Sequence, residues 1–500
     1  MRAGSEPQFR RGHSASRSDD GISIGVRGIP IRSSGSRSTL TGSTPSPGPN
    51  REGTLIIIGG KHVVVPSRRA VLGACAGFGT VALAGCLGDD EPAFDHDLPG
   101  SGSWPFPDYC QRNTRWNRHA SPPESEPERR WEWNTFEDPP GPPSGGAIAS
   151  LVVADGAVVA AGNELVALDA ETGEERWRVE FQAYELAIGD GLVYAMGRSD
   201  VAAHELETGE ERWYAGYDDG ILGFFGEDPE RAIHLTASER EVYVGRASPT
   251  DHAVTALDAD DGSTRWELSE PEIDDDHPYT DGSVYAPENT FLGLADDGLV
   301  AGGTGWAGAF GPDTEGVGER WLDRERMSCA RPVVGEGLVV LPEFDLVGQN
   351  EDDEPEEHAV TAFDPEEGCT EWEVTFDEPL GDVVRADGTL YTYVARDDEE
   401  QTEDGGGELL AIDPDGGSVD TLAETPWDGR AVTAGGDSLV LSGGRVGPRH
   451  RAIGAYGLDG EERWVTEVEA NGFRPNPREV VLVGDRVYVG TGNGDVLAYG

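Results

Sequence analysis

Ala167-Leu168-Asp169-Ala170-Glu171-Thr172-Gly173-Glu174-Glu175-Arg176-Trp177 is a phrase that this chain repeats, in varying states of wear, eight times. The copies are spaced 36 to 55 residues apart, which is the period of a repeat architecture. One copy is too small to bury its own apolar face, so successive copies have to stack on one another.

The first full copy sets the unit. Residues 151–161 read as strand, Asp155-Gly156 turn and strand. Residues 163–170 are a third strand, Glu171-Thr172-Gly173 a tight turn, and 174–180 a fourth strand ending on tryptophan. Asp-Gly and Thr-Gly supply the positive φ that tight hairpins require. Four antiparallel strands per copy predict one blade of a β-propeller. The eighth copy has only three strands before the chain stops at Gly500. Its missing fourth strand matches Glu128-Arg129-Arg130-Trp131-Glu132-Trp133, which stands alone ahead of the first blade. The expectation is therefore an all-β, eight-bladed propeller of four-stranded antiparallel blades, closed by that N-terminal strand pairing with the last blade, so that no sheet edge is left open.

Glycine stands four residues before tryptophan in five copies: Gly173 and Trp177, Gly209 and Trp213, Gly262 and Trp266, Gly368 and Trp372, Gly460 and Trp464. Each indole is expected to lie across the neighbouring blade, with Trp131 and Trp321 acting likewise. Asp169 and Thr172 are expected to satisfy the turn amides. Copy four lacks the Asp-x-x-Thr-Gly part, and copy six has Thr421 where tryptophan is due. Two stretches, 302–318 and 396–407, read as inserts in these worn blades, and they are where a partner could dock. The twelve tryptophans are read as packing between blades, not as a ligand-stacking surface.

The formal charge is −57; the first 85 residues carry eleven Arg/Lys against four Asp/Glu, and their +7 leaves −64 on the rest. Phosphate binding needs clustered cations, so nucleic acid is excluded as a partner. Lys61 is the sole lysine. An acid-rich, lysine-poor surface suits concentrated salt, which screens the self-repulsion. The acidic runs 351–357 and 397–404 lack EF-hand spacing and read as solvated loops, not metal sites. Raising NaCl from about 0.1 M to about 2 M is accordingly expected to raise the thermal midpoint, as charges farther apart than the Debye length stop repelling. A midpoint that falls or stays flat with salt would remove this reading.

Ser67-Arg68-Arg69-Ala70-Val71-Leu72 resembles a twin-arginine export signal, with Arg68 and Arg69 as its pair. The short apolar stretch after it is too brief to span a bilayer. It ends in Leu83-Ala84-Gly85-Cys86, which resembles a lipobox and makes Cys86 the expected site of lipidation. Residues 65–86 are thus a signal peptide, and the protein is expected on the outer face of the cytoplasmic membrane, exported by the twin-arginine route as in haloarchaeal-type lipoproteins. Residues 1–64 read as a misannotated extension, translation starting near Val63–Val65. Residues 87–127 read as a linker and N-terminal arm, flexible from Leu87 to about Ser103, and 128–500 as the propeller.

The Ala-x-Asp-x-x-Thr-Gly-x-x-x-Trp phrase, as it stands at 167–177, resembles the PQQ-like (quinoprotein-type) β-propeller repeat. Trp104-Pro105-Phe106-Pro107-Asp108-Tyr109 with Asn113-Thr114 is similar to a segment that precedes such arrays in exported relatives; Arg115 stands here in place of glycine. The family includes PQQ-dependent alcohol dehydrogenases and the outer-membrane assembly factor B lipoproteins, which are scaffolds. For an enzyme, the resemblance implies a quinone under a disulfide between adjacent cysteines, over a tryptophan, with calcium held by Glu, Asn and Asp. Cys75, Cys86, Cys110, Cys329 and Cys369 include no adjacent pair. There is no haem motif, no metal-binding histidine spacing and no Gly-x-Ser-x-Gly elbow. The expectation is a non-catalytic surface scaffold with a protein partner, no cofactor, and no catalytic or metal residues. A PQQ-dependent oxidoreductase with calcium is the alternative, and a polysaccharide-binding surface module a further one. Any disulfide among Cys110, Cys329 and Cys369 is left open.

Overall fold

Asp155 and Gly156, at φ 48° and 69°, turn the first strand of blade one into the second. Asp190-Gly191 and Asp387-Gly388 do the same in blades two and six. Two consecutive left-handed residues match the twist of the flanking strands, which is why Asp-Gly stands at these corners.

The computed structural model describes residues 99–100, 102–134, 147–216, 231–247, 252–269, 290–295, 298–303, 306–313, 316–323, 330–335, 337–344, 358–395, 406–425, 431–445, 450–470 and 476–500. The chain divides into two compact units, Met1–Leu55 and Ile56–Gly500, and every described residue belongs to the second. Those residues form eight blades of four antiparallel strands and no helix; the sheet of blade seven gains a short fifth strand from the arm, Trp116–Asn117, which pairs in parallel with Ala434 and Gly435. Blade one runs Ser150–Ala154, Ala157–Ala161, Leu165–Asp169, Glu175–Val179, and the next six follow the same consecutive order. In blade eight, Pro477–Val483, Arg486–Thr491 and Asp495–Tyr499 are completed by Arg129–Asn134. Trp131 pairs with Ala498 and Trp133 with Val496, antiparallel. The ring therefore closes as the lone strand predicts.

The indoles hold the ring together by one recurrent contact. Five of them donate the N–H to a backbone carbonyl of the next blade and lie on the glycine three residues further on. Trp131 bonds Ala170 and covers Gly173; Trp177 bonds Leu206 and covers Gly209. Trp213 bonds Ala259 over Gly262, Trp321 bonds Pro365 over Gly368, and Trp372 bonds Pro414 over Gly417. A Cβ at Gly209 would come within 2.8 Å of Trp177, and φ there is +73°, so glycine is required twice over. Gly191 has the same φ of +73° with nothing within 4 Å. Gly191→Ala is expected to cost about 1 kcal/mol from backbone strain alone. Gly209→Ala is expected to cost about 1–3 kcal/mol more, because the indole has to move. Urea midpoints of the two variants, measured side by side, check the difference; equal midpoints would show that the indole contact carries no weight.

Asp169 organises the turn that receives an indole. Its Oδ1 accepts from the Glu171 and Thr172 amides and the Thr172 hydroxyl, and its Oδ2 meets Arg176 at 2.8 Å. Arg176, and then the Thr172 and Glu171 donors, pull its carboxyl down to about 2.

Three positions differ from the sequence reading. Trp266 packs against the cluster that holds Leu292, Leu294 and Trp306 of blade four, but its N–H goes to Glu241 Oε1 within its own blade. Blade four has no Thr-Gly turn to receive it. Trp464 donates to the Pro123 carbonyl, because blade eight lacks a covalent turn between its third and fourth strands and the incoming chain stands there instead. A Cβ at Gly460 would come within 2.7 Å of Leu422, not of an indole, since blade six has Thr421 in the tryptophan position. The supposed insert 302–318 is also corrected: it holds the third strand of blade four, Trp306–Asp313, with Trp306 buried in the core. Most of 396–407 lies outside the described residues, as do the acidic runs 351–357 and 397–404.

The arm, from Trp104 onward, is part of the fold. Trp104, Tyr109 and Cys110 are 1–2% exposed and belong to one core cluster with Ile148, Leu151 and Val481. Trp104 exchanges two hydrogen bonds with Val153 of blade one, and Ile188 of blade two donates to Pro105. Phe106 packs against Leu235 and Val242 of blade three. Leu294, Val334, Arg385 and Ala434, in blades four to seven, donate in turn to Gln111, Arg112, Thr114 and Arg115. Ser121 donates to Gly484, at the end of the inner strand of blade eight. These bonds measure 2.6–3.0 Å. The arm makes one circuit of the inner strands, and Asn117 Nδ2 closes it by donating to Leu482 and Ser103 carbonyls. Positive φ at Tyr109, Asn113 and Arg115 gives the tight curl.

Candidate functional site

The arm meets the inner strands near their far ends, where each first hairpin turns. Three residues earlier on four of those strands or their lead-ins stand Glu185, Phe291, Arg331 and Asp382, paired in sequence with arm-bonded Ile188, Leu294, Val334 and Arg385. Three extended residues span about 10 Å. Beneath the arm there is thus a ring of blade residues around the axis, into which the arm points Asp108, Asn113 and Arg115. A cavity of about 200 Å3 is lined by Asp108, Asn113, Arg115, Phe291, Arg331 and Asp382.

Its floor is an ionic network. Arg331 bonds Asp108 Oδ2 at 2.9 Å with one nitrogen and Glu185 Oε1 with the other. Arg115 meets Asp108 Oδ1 at 3.3 Å and Asp382 Oδ2 at 2.6 Å. Glu185 Oε2 also accepts from the Leu235 amide at 2.6 Å. Asn113 ties blades four and five together, donating to the carbonyls of Leu292 and Pro332. His234 Nδ1 accepts from the Leu292 amide, and Nε2 faces Glu185 at 3.9 Å. Asp108 and Glu185 are almost completely buried, whereas Asp382 keeps 36% of its side chain accessible where it lines the cavity.

Counted among the described residues, four carboxyls (Asp108, Glu185, Asp382, Glu479) face two guanidiniums. Burial pushes Glu185 up to about 7; Arg331 and the Leu235 N–H oppose it, while Asp108 and Glu479 add to it. Burial raises Glu479 to about 7 as well, against Arg115 and Arg331 and with the help of Asp108 and Asp382. Asp382 is raised by burial, with Arg115 opposing. Burial disfavours the Arg331 charge, but Asp108, Glu185 and Glu479 outweigh it and its pKa is raised. His234 is held well below the ordinary imidazole range by burial and then by Arg331. Chemically, this arrangement is a buried ionic network whose two guanidiniums are already committed to carboxylates.

A larger groove, about 670 Å3, lies over the turns of blades one to three. Its Arg176 and Arg212 pair with Asp169 and Glu205 of the turns that carry the indole contacts, so it is part of the fold's fastening. Cys110 is buried with its Sγ 3.2 Å from Thr114 Oγ1, and Cys369 is exposed; these two are not joined to each other, and Cys329 lies outside the described residues. Cys86, Arg68 and Arg69 also lie outside them.

None of the axial blade residues is named by the sequence reading. Their signal is a charge placed immediately before or at the start of an apolar inner strand, as in Glu185-Leu186-Ala187-Ile188 and Asp382-Val383-Val384. The arm's share was visible only as the Trp104–Tyr109 and Asn113-Thr114 resemblance.

The sequence model of the family described as outer membrane protein assembly factor BamB matches residues 113–301 and 356–500, more than half of the chain. The chain belongs to the BamB family. The match begins inside the arm, at Asn113, so the family pattern takes in part of the axial plug. No curated protein matches the chain. Among solved structures, this BamB-family chain is similar to the quinohemoprotein alcohol dehydrogenase ADHIIG from Pseudomonas putida HK5, at 12% identity and TM-score 0.50 over 80% of each chain. It is also similar to BamB from Moraxella catarrhalis, at 13% identity and TM-score 0.47, over 75% of this chain and 99% of that one. A computationally designed protein, Ika8, matches at 14% identity and TM-score 0.48, over 71% and 97% of the respective chains. At such identities the likeness is one of fold.

Proposed function

We propose that this BamB-family propeller is a non-catalytic scaffold, lipid-anchored through Cys86 on the outer face of the cytoplasmic membrane, which binds a protein partner through its faces or rim. The observation that carries the reading is the filled axis. The chain's own arm caps one end of the channel, and both guanidiniums beneath it are engaged by carboxylates. The residues present do not fit the quinone and calcium of the related dehydrogenases. No two cysteines are adjacent, and no group of three or more His, Cys, Asp or Glu among the described residues is arranged to hold a metal ion.

Support for the anchor comes from the ordered succession of arginine pair, apolar stretch and Leu-Ala-Gly-Cys at 67–86. Two acyl chains on one cysteine hold a protein to a bilayer, where one is marginal. No helix of the described residues is long and apolar enough to cross a membrane.

Purified protein incubated with PQQ and calcium is expected to show no quinone absorbance after desalting and no dye reduction with alcohols. Stoichiometric quinone uptake with dye reduction would replace the scaffold reading by an oxidoreductase. Affinity capture of the intact lipoprotein from its native membrane, followed by reconstitution with the purified co-captured protein, is expected to yield a defined complex. Failure of every co-captured protein to rebind would remove the partner.

A further inference from the structure

Positive charge is scarce in this chain, with 38 Lys and Arg against 95 Asp and Glu, yet the arm collects it. Residues 104–123 carry Arg112, Arg115 and Arg118 against one carboxylate, Asp108. Arg115 turns towards the axial network, where Asp108 and Asp382 hold it. Arg112 and Arg118 instead line a separate cavity of about 290 Å3 at the hairpin ends of blades five and six, together with Arg385, Tyr109, Thr114 and Trp116. Main-chain bonds fix its frame: the Val334 amide donates to the Arg112 carbonyl at 2.8 Å, and the Arg385 amide to the Thr114 carbonyl at 3.0 Å. The Arg385 guanidinium lies on Gly335, where a Cβ would overlap it. The Trp116 N–H donates to the Gly436 carbonyl at 3.0 Å, and the Tyr109 hydroxyl to the Pro99 carbonyl at 3.2 Å. Arg118 is exposed, with its Nε directed at His119. Among the described residues no carboxyl lines this cavity. The carboxyls nearest in sequence are Glu336, which lies outside the described residues, and Asp387; with both included, the three guanidiniums still outnumber them. Arg112 and Arg385 have further partners, but a guanidinium carries five N–H donors, and one acceptor does not exhaust it.

We propose that this cavity is a binding site for a phosphate group. A phosphate presents acceptor oxygens on several sides and pairs with guanidiniums two bonds at a time, whereas a carboxylate is satisfied by one of them. Three arginines around one cavity suit one phosphate, not the run of phosphates along a nucleic acid. The cavity has room for about ten waters, so a small organic group on the phosphate fits beside Trp116. The surrounding acidic surface repels anions at long range, and salt shortens that reach. Two sources share this chemistry. One is a soluble phosphate ester. The other is an anionic phospholipid headgroup, a source that rests on the anchor at Cys86 proposed above, since the described chain begins beside this cavity, at Pro99.

Modification of arginines by phenylglyoxal in the intact protein, read residue by residue with mass spectrometry, tests the site. With about 10 mM inorganic phosphate and a Kd of about 1 mM, modification of Arg118 is expected to slow about tenfold. Acetate at the same ionic strength is expected to leave it unchanged. Arg240, exposed at the first hairpin turn of blade three on the same end of the ring, is expected to react at one rate throughout. Glycerol 1-phosphate and vesicles of phosphatidylglycerol in phosphatidylcholine separate the sources. Protection by the vesicles beyond that given by phosphatidylcholine alone assigns the headgroup, and protection by the soluble ester alone assigns the ester. In the double variant Arg112→Gln, Arg385→Gln, protection of Arg118 is expected to vanish. Should that variant not fold, the exposed change Arg118→Gln is expected to weaken phosphate protection of Arg112. A native protein whose mass shows no acyl chains on Cys86 removes the anchor, and the headgroup with it, but not the slowing of Arg118 by phosphate. The site is overturned by equal protection from acetate, by Arg240 slowing in step with Arg118, by no protection from any phosphate, or by undiminished protection in the variants.

Discussion

Trp131→Ala is expected to lower stability by about 3–5 kcal/mol, the usual cost of deleting a buried tryptophan, and to open the ring at one seam. Trp131 is 9% exposed, donates to Ala170 and lies over Gly173, while its ring sits 5.9 Å from Tyr488. Trp177 makes the same contact at the next junction, but its strand, Glu175–Val179, follows by a covalent turn from the third strand of its own blade. At the Trp131 seam, the fourth strand of blade eight is held by pairing alone. Trp131→Ala and Trp177→Ala are therefore expected to show similar urea midpoints but different local exchange. Only Trp131→Ala should expose the amides of Asp495–Tyr499. If the two variants expose that strand equally, closure does not depend on the indole.

Arg331→Met is the second large effect. Arg331 is bonded to Asp108 and Glu185, whose side chains are 2% and 4% exposed. Removing one partner from a buried ion pair leaves the other charge without compensation, at about 3–5 kcal/mol. The loss is expected to depend on pH in a fixed direction. Glu185 is raised to about 7 even with Arg331 present; without the guanidinium its carboxyl shifts further up. Groups raised in the folded state stabilise it while protonated and withdraw that contribution as pH rises through their folded pKa. Urea midpoints at about pH 6 and about pH 8 should therefore diverge more between wild type and variant at the higher pH. A constant difference would mean that Arg331 acts through packing.

The blade count was legible because each blade is a local object. Its four strands are consecutive, its turns are marked by Asp-Gly or Thr-Gly, and its indole stands at a set distance from its glycine. The closure was legible for a related reason: a strand without a sheet and a sheet without a strand have the same length and pattern. Where local marks were worn, the reading failed. Trp306–Asp313 lacks the Ala-apolar-Asp ending seen at Ala167-Leu168-Asp169, Ala256-Leu257-Asp258, Ala362-Phe363-Asp364 and Ala411-Ile412-Asp413, and so it passed for an insert. Trp266 and Trp464 carry the right spacing, but the receiving turn belongs to another copy, and copies four and eight do not provide one. The course of the arm was not legible, because its bonding partners are spread along the chain from Val153 to Gly484.

By itself, the sequence determined what repetition and short-range turn chemistry can encode: eight sheets, their antiparallel order, the indole and glycine of most junctions, and a closing strand. The axis was decided only in three dimensions. Asp108, Glu185, Arg331, Asp382 and Glu479 come from the arm and four different blades, and nothing in their separate neighbourhoods says that they meet. The raised proton affinities of Glu185, Asp382 and Glu479 follow from burial, a property of the closed ring and of the arm laid across it, which no single segment possesses.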